Sequence, residues 1–147
     1  MKLYLMRHGD ALSSDVDPQR GLSEQGKAAV SQIACSLETR KINIKQILHS
    51  NKARARQTAE IVNRILANEM VCTESDVIKP NDDPHVLLKQ IENEQKDTLI
   101  VSHLPFIPGL VQLLCPTAQP INFEPAAVAC LEKNGTNWAL LWVEHPN

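Results

Sequence analysis

No run of apolar residues in the 147-residue chain approaches the length needed to span a bilayer. Charge of one sign is not in excess either: the formal net charge is −2, which gives no field to draw the chain to nucleic acid or a membrane surface. The opening Met1-Lys2-Leu3-Tyr4-Leu5 is interrupted by Arg7 too soon to read as a signal peptide. No Cys-x-x-Cys pair occurs. Cys35, Cys72, Cys115 and Cys130 are scattered, which argues against a disulfide frame or a zinc site and for reduced thiols filling a core. A cytoplasmic protein is the expectation. Internal repeats, low-complexity tracts and linkers are also missing, so residues 1–147 are expected to form one domain. Apolar residues make up 43% of the chain, enough at this length to bury a core without covalent staples.

What is present is an alternation of strand-like and helix-like segments. Residues 2–8 read as a strand, an apolar run that stops at Gly9. Residues 10–21 are polar and contain Asp17-Pro18 and Gly21, a loop. Ser23 can cap a helix reaching about Arg40, with Val30, Ile33, Ala34 and Leu37 at helical spacing. Residues 46–50 predict a second strand, and a helix follows from about Ala53 to Ala67 with Ile61, Val62, Ile65 and Leu66 on one side. Val71 to Ile78 reads as a further strand, residues 80–84 as a loop, and His85 to Glu92 as a helix. Residues 97–103 form a central buried strand, and Phe106 to Leu114 a short helix despite Pro108 and Gly109. Two last strands, 127–132 and 138–144, make a hairpin turned at Asn134-Gly135, with Trp138 and Trp142 on one face over the core. The pattern predicts an α/β three-layer sandwich with a mostly parallel central sheet and an antiparallel edge hairpin.

Two of these strands end in histidine, Leu5-Met6-Arg7-His8 and Ile100-Val101-Ser102-His103. If the strands are parallel, His8, His103 and the start of the helix containing Arg54 and Arg56 meet at one sheet edge, where α/β proteins bind ligands. A helix start offers free N–H groups and a positive dipole end, and arginines add forks of donors; all favour an anion. A neutral imidazole in such a pocket can attack phosphorus and become a phosphohistidine, while Arg7, Arg54 and His103 hold the phosphoryl oxygens. Flanking cations would keep His8 below its usual value of about 6.5 and so unprotonated.

Arg7-His8-Gly9 resembles the signature of the histidine phosphatase superfamily, which includes the cofactor-dependent phosphoglycerate mutases. The segment Ser50-Asn51-Lys52-Ala53-Arg54-Ala55-Arg56-Gln57-Thr58-Ala59 is similar to its Ser-Pro-x-x-Arg-Ala-x-Gln-Thr-Ala motif, with Asn51 in place of proline. Leu22-Ser23-x-x-Gly26 resembles its Leu-Thr-x-x-Gly helix start, and Ser102-His103 stands where the second histidine belongs. Small size, Ser102-His103-Leu104-Pro105 and Leu113-Leu114-Cys115-Pro116 are similar to the SixA-type phosphohistidine phosphatases. The resemblance covers essentially the whole chain. It implies a phosphoglycerate mutase-like fold with His8 as nucleophile and Arg7, Arg54 and His103 around the phosphate. Gly9 and Ser102 would contribute to substrate binding, with no cofactor and no metal. Arg20 lies where that subgroup carries a further pocket arginine, although Gly21 follows it here instead of proline.

Larger superfamily members carry a carboxylic acid on an insertion after the second helix, to protonate an alkoxide leaving group. Here only about thirty residues separate that helix from the 97–103 strand, and Asp82 and Asp83 are the acids near the corresponding place. A missing acid suits a P–N bond, because imidazole leaves far more readily than an alkoxide. The short connection also leaves no lid, which suits a phosphohistidine on another protein's surface. The expected partner is therefore a histidine-phosphorylated domain, such as the phosphotransfer module of a signalling relay or a sugar phosphotransferase carrier, met by a monomer. Two rivals stand beside this reading: a small phosphomonoesterase using Asp83 or Asp82 as acid, and a module that binds phosphohistidine without turnover. A metal site on His8 and His103 is a poorer reading, since the arginines repel cations. Asp10 is expected to order the turn after Gly9, and Arg56, His49, His85 and His145 are expected to be ordinary residues.

Overall fold

The computed structural model describes residues 1–67 and 71–147. In chain order the elements are β1 (Lys2–Arg7), α1 (Glu24–Thr39), β2 (Gln46–His49), α2 (Ala53–Leu66), β3 (Cys72–Glu74), α3 (Pro84–Ile91), β4 (Thr98–Ser102), α4 (Phe106–Leu114), β5 (Val128–Asn134) and β6 (Asn137–Glu144). The six strands form one sheet in the order β3-β2-β4-β1-β5-β6. β1, β2, β3 and β4 run parallel, while β5 is antiparallel to β1 and β6 antiparallel to β5. The expected architecture is therefore the one observed. Among the described residues no helix is long and apolar enough to cross a membrane.

Both sheet faces are covered, which is why β1 and β4 read as unbroken apolar runs. Tyr4, Met6, Leu99 and Val101 face one core, packed under α1 and α2 through Val30, Ile33, Leu37, Ala55, Ala59 and Val62. Leu3, Leu5 and Ile100 face the other, with Leu87 and Ile91 of α3 and Phe106, Ile107 and Leu110 of α4. The registers Arg7↔Ser102 and His49↔Val101 align the carboxyl ends of β1, β2 and β4. Residues His8, Ser50 and His103 thus leave the sheet at one edge.

Helix starts follow their local chemistry. Ser23 caps α1 by accepting from the Gly26 N–H at 3.0 Å. Asp83 caps α3 by accepting from the His85 N–H, with Pro84 in the first turn. Pro108 is tolerated in α4 because it lies in the first turn, where no intrahelical partner awaits its missing N–H.

Four expectations are corrected. The strand foreseen over residues 71–78 is only Cys72–Glu74: β2 offers just Ile47, Leu48 and His49 for pairing, and Ile78 turns instead into the α3–α4 core. The hairpin turn falls one residue later than Asn134-Gly135. Asn134 pairs with Asn137, and Gly135, at φ 64°, takes the first central position, which suits a type II′ turn. Trp138 and Trp142 do not share a face. A register shift between Cys130 and Leu131 skips Leu141, so Trp142 packs on the α1–α2 core and Trp138 on the other. Of the cysteines, Cys115 and Cys130 are buried as expected, but Cys72 is half-buried and Cys35 is exposed; all four are free thiols.

Candidate active site

His8 follows β1 directly, and its backbone N–H still pairs with the Ser102 carbonyl at 3.1 Å. The ring is 9% exposed. Its Nδ1 lies 2.7 Å from the Gly9 carbonyl. A carbonyl only accepts, so Nδ1 carries the proton and Nε2 keeps its lone pair. Gly9 in turn is gripped by the helices. Its N–H donates to Thr58 Oγ1 at 3.0 Å, and a Cβ there would stand 2.7 Å from Val30 Cγ2. Glycine at this position permits the close approach of α1 to the turn.

His103 follows β4 and is 3% exposed. Its ring centroid lies 5.0 Å from that of His8, with the planes 55° apart. His103 Nε2 shares a 2.5 Å hydrogen bond with Ser50 Oγ, while His103 Nδ1 is buried with no protein partner. Arg7 donates from Nη1 to the Phe123 carbonyl at 2.9 Å, and its buried Nε has no protein partner. Arg54 lies in the first turn of α2, whose start has no side-chain cap and no acidic residue. Two buried polar atoms without a protein partner, one on a guanidinium and one on an imidazole, thus lie beside the uncapped start of α2 at the same sheet edge.

The electrostatics agree with this. Burial pushes His8 down to about 4; its bond to Gly9 opposes the shift, while Arg54, Arg7 and Arg20 reinforce it. Burial likewise pushes His103 down to about 3, helped by His8, Arg54, Lys52 and Arg7. Burial among these cations leaves both imidazoles neutral at pH 7. Arg20 is exposed, at φ 52°, with Nε donating to the Leu12 carbonyl. Its charge nevertheless reaches both His8 and Arg54.

The fold therefore brings His8, Arg7, Arg54 and His103 together, with Arg20 beside them. Two foreseen binding residues are used differently. Gly9 spends its N–H on Thr58 and its carbonyl on the His8 ring. Ser102 points away from the edge and donates to the Ile78 carbonyl, tying the segment before α3 to β4. Asp10 orders its turn, accepting from the Ser23 hydroxyl at 2.7 Å and from the Ser23 N–H at 3.0 Å.

The chain is similar to known proteins over nearly its whole length. Over 150 aligned residues the chain is 33% identical to phosphohistidine phosphatase SixA of Escherichia coli (strain K12), covering 95% of this chain and 93% of that protein. The chain belongs to the histidine phosphatase superfamily. Residues 3–75 match the histidine phosphatase superfamily (branch 1) in particular. The phosphohistidine phosphatase SixA homolog of Haemophilus influenzae (strain ATCC 51907 / DSM 11121 / KW20 / Rd) is 33% identical over 155 residues, covering 96% of this chain and 93% of that protein. Among solved structures, the protein histidine phosphatase SixA complexed with tungstate superposes with a TM-score of 0.90 at 31% identity, over 99% of this chain and 97% of that one.

Within the superfamily signature the structure gives mechanical work to residues that sequence reasoning left without any. Gln57 Oε1 accepts the Leu22 N–H at 2.7 Å, and Thr58 Oγ1 accepts from Gly9 while donating to the Arg54 carbonyl at 2.8 Å. Gln57-Thr58 thus fasten both ends of the 9–22 segment to the helix that carries Arg54. Their place inside the motif was the available signal. Nothing local marks Phe123, whose backbone carbonyl alone meets Arg7.

Proposed function

We propose that the chain is a phosphohistidine phosphatase that works through a phospho-His8 intermediate. The observation that carries this reading is a buried, neutral His8 whose Nε2 lone pair is free, set among Arg7, Arg54, Arg20 and His103. In the first step His8 Nε2 attacks phosphorus and the P–N bond to the substrate imidazole breaks. That imidazole keeps the bonding electron pair and departs with its other ring nitrogen protonated. In the second step water attacks phospho-His8, the new P–N bond breaks, and inorganic phosphate leaves. Arg7, Arg54 and His103 hold the phosphoryl oxygens throughout, so catalysis is mostly positioning and charge stabilisation. Arg20 adds positive charge at the rim. Gly9 and Ser102 act one step back, holding the His8 ring and the β4 end.

The named relatives are phosphohistidine phosphatases, and tungstate, carried by the solved one, is a tetrahedral oxyanion like phosphate. The ester-hydrolysing rival needs a protonated acid. Asp83 instead caps α3, and its bonds from the His85 backbone and side chain hold its carboxyl below the usual range. Asp82 is occupied by the Lys79 N–H. A histidine-phosphorylated domain in the cytoplasm is the partner this site suits, and one chain supplies every group named. Incubation with a phosphohistidine protein and an acid-quench-free trap should place acid-labile phosphate on His8, and His8→Ala should abolish turnover. Retained turnover in that variant, or equal hydrolysis of a phosphoserine peptide, would overturn the reading.

A further inference from the structure

The buried hydrogen-bond accounting around His103 assigns a positioning role to Ser50. Ser50 directly follows β2 and is fully buried. Its Oγ lies 2.5 Å from His103 Nε2 and accepts the Lys52 N–H at 3.3 Å. The Ser50 backbone is held as well, by its N–H to Val101 and by His49 Nδ1 on its carbonyl. The serine is therefore fixed from several directions, and its hydroxyl proton has one choice to make.

A neutral His103 carries a single ring proton, on Nε2 or on Nδ1. With the proton on Nε2, Ser50 Oγ would accept from both Lys52 and His103. Its own hydroxyl proton would then be buried without an acceptor, and a lone pair on Nδ1 would face the phosphate oxygens. With the proton on Nδ1, the Ser50 hydroxyl donates to Nε2 and still accepts from Lys52. The buried, partnerless Nδ1–H then becomes a donor to an oxyanion. In the free protein the first arrangement leaves two buried groups unpaired, the Ser50 hydroxyl proton and the Nδ1 lone pair, whereas the second leaves only the Nδ1–H, which an oxyanion would fill.

We propose that Ser50 is a positioning residue that locks neutral His103 in its Nδ1–H tautomer, so that His103 serves the pocket as a hydrogen-bond donor and not as a cation. This rests on the phosphate-pocket reading above for its purpose, but not for its measurement. His103 stays neutral through the working pH range, so its usefulness to an anion depends on which nitrogen holds the proton. Ser50 makes that selection through its own hydroxyl, which accepts the Lys52 N–H and donates to His103 Nε2.

The test is nitrogen-15 NMR of the imidazoles in the free wild-type protein at pH 7, with His103 assigned by comparison with His103→Asn. A protonated Nδ1 and an unprotonated Nε2 are expected; the reverse pattern would overturn the assignment, whatever the substrate. Ser50→Ala should shift His103 towards a mixture of tautomers and weaken inorganic tungstate binding about 10-fold, the scale of one buried hydrogen bond lost. Ser50→Thr, which keeps the hydroxyl, should recover the wild-type tautomer. In a His103→Asn background Ser50→Ala should cost no further tungstate affinity. A full additional loss there would show a merely structural role and overturn the proposal. If phosphohistidine turnover is absent while the tautomer pattern holds, the functional reading fails and the positioning role stands.

Discussion

At the scale of single residues, the site depends on imidazoles kept from protonating. Histidine usually titrates near pH 6.5, but burial and the surrounding guanidinium charges take His8 to about 4. The lone pair on Nε2 is therefore available well into the acid range. We expect the pH profile of kcat/KM on a phosphohistidine protein to carry no step near 6.5 that belongs to His8, whose lone pair stays available down to about pH 5. A pH profile with a step near 6.5 assigned to His8 would contradict this. His8 and His103 were readable as a pair because each ends an apolar run, and an apolar run in an alternating α/β pattern is a parallel strand. The roles of Gly9 and Ser102 were not readable. Whether a backbone N–H or a hydroxyl turns to the ligand or to a neighbour depends on partners far away in sequence, Thr58 for one and Ile78 for the other.

At the scale of elements, α1 and α2 clamp the turn that carries the nucleophile. The Thr58 hydroxyl joins the Gly9 N–H to the Arg54 carbonyl. Thr58→Val keeps the shape and strands the Gly9 N–H, so a loss of about 1–3 kcal/mol in urea unfolding is expected, with slower phosphoryl transfer. Thr58→Ser should restore both. On the α1 side, Gly9→Ala would press a methyl 2.7 Å from Val30 Cγ2, an overpacking worth about 1–3 kcal/mol. Gly26→Ala should cost more, because its Cβ would meet the Asp10 carbonyl oxygen at 2.2 Å, and backbone yields less than a side chain. Comparing the two urea midpoints checks the order. Helix positions were legible from spacing and caps, Ser23 above all. The face of β6 was not, since the skipped Leu141 reverses the alternation on which any face assignment rests.

At the scale of the whole molecule, two neutral buried histidines make stability depend on pH. In the unfolded chain both take up protons near pH 6.5, while in the fold they do so only near 4 and 3. Between these values the unfolded chain binds more protons, so stability must fall as pH drops from about 6.5 towards 3 and level off below. Urea midpoints from pH 7.5 to 4.5 should decline, and His103→Asn should decline less steeply over the same range. An identical slope in the variant would remove His103 from this account.

The order of apolar runs and turn residues was enough by itself to determine the alternation of elements, the parallel sheet and the presence of His8, Arg7, Arg54 and His103 at one edge. These are consequences of local periodicity and of the helical crossover that parallel strands require. Tertiary structure alone decided which hydrogen-bonding groups remain free there. Gly9 and Ser102 are satisfied by other partners, whereas Arg7 Nε and His103 Nδ1 are left open. Satisfaction of a buried polar atom is a property of its neighbours in space, and those neighbours lie tens of residues away along the chain.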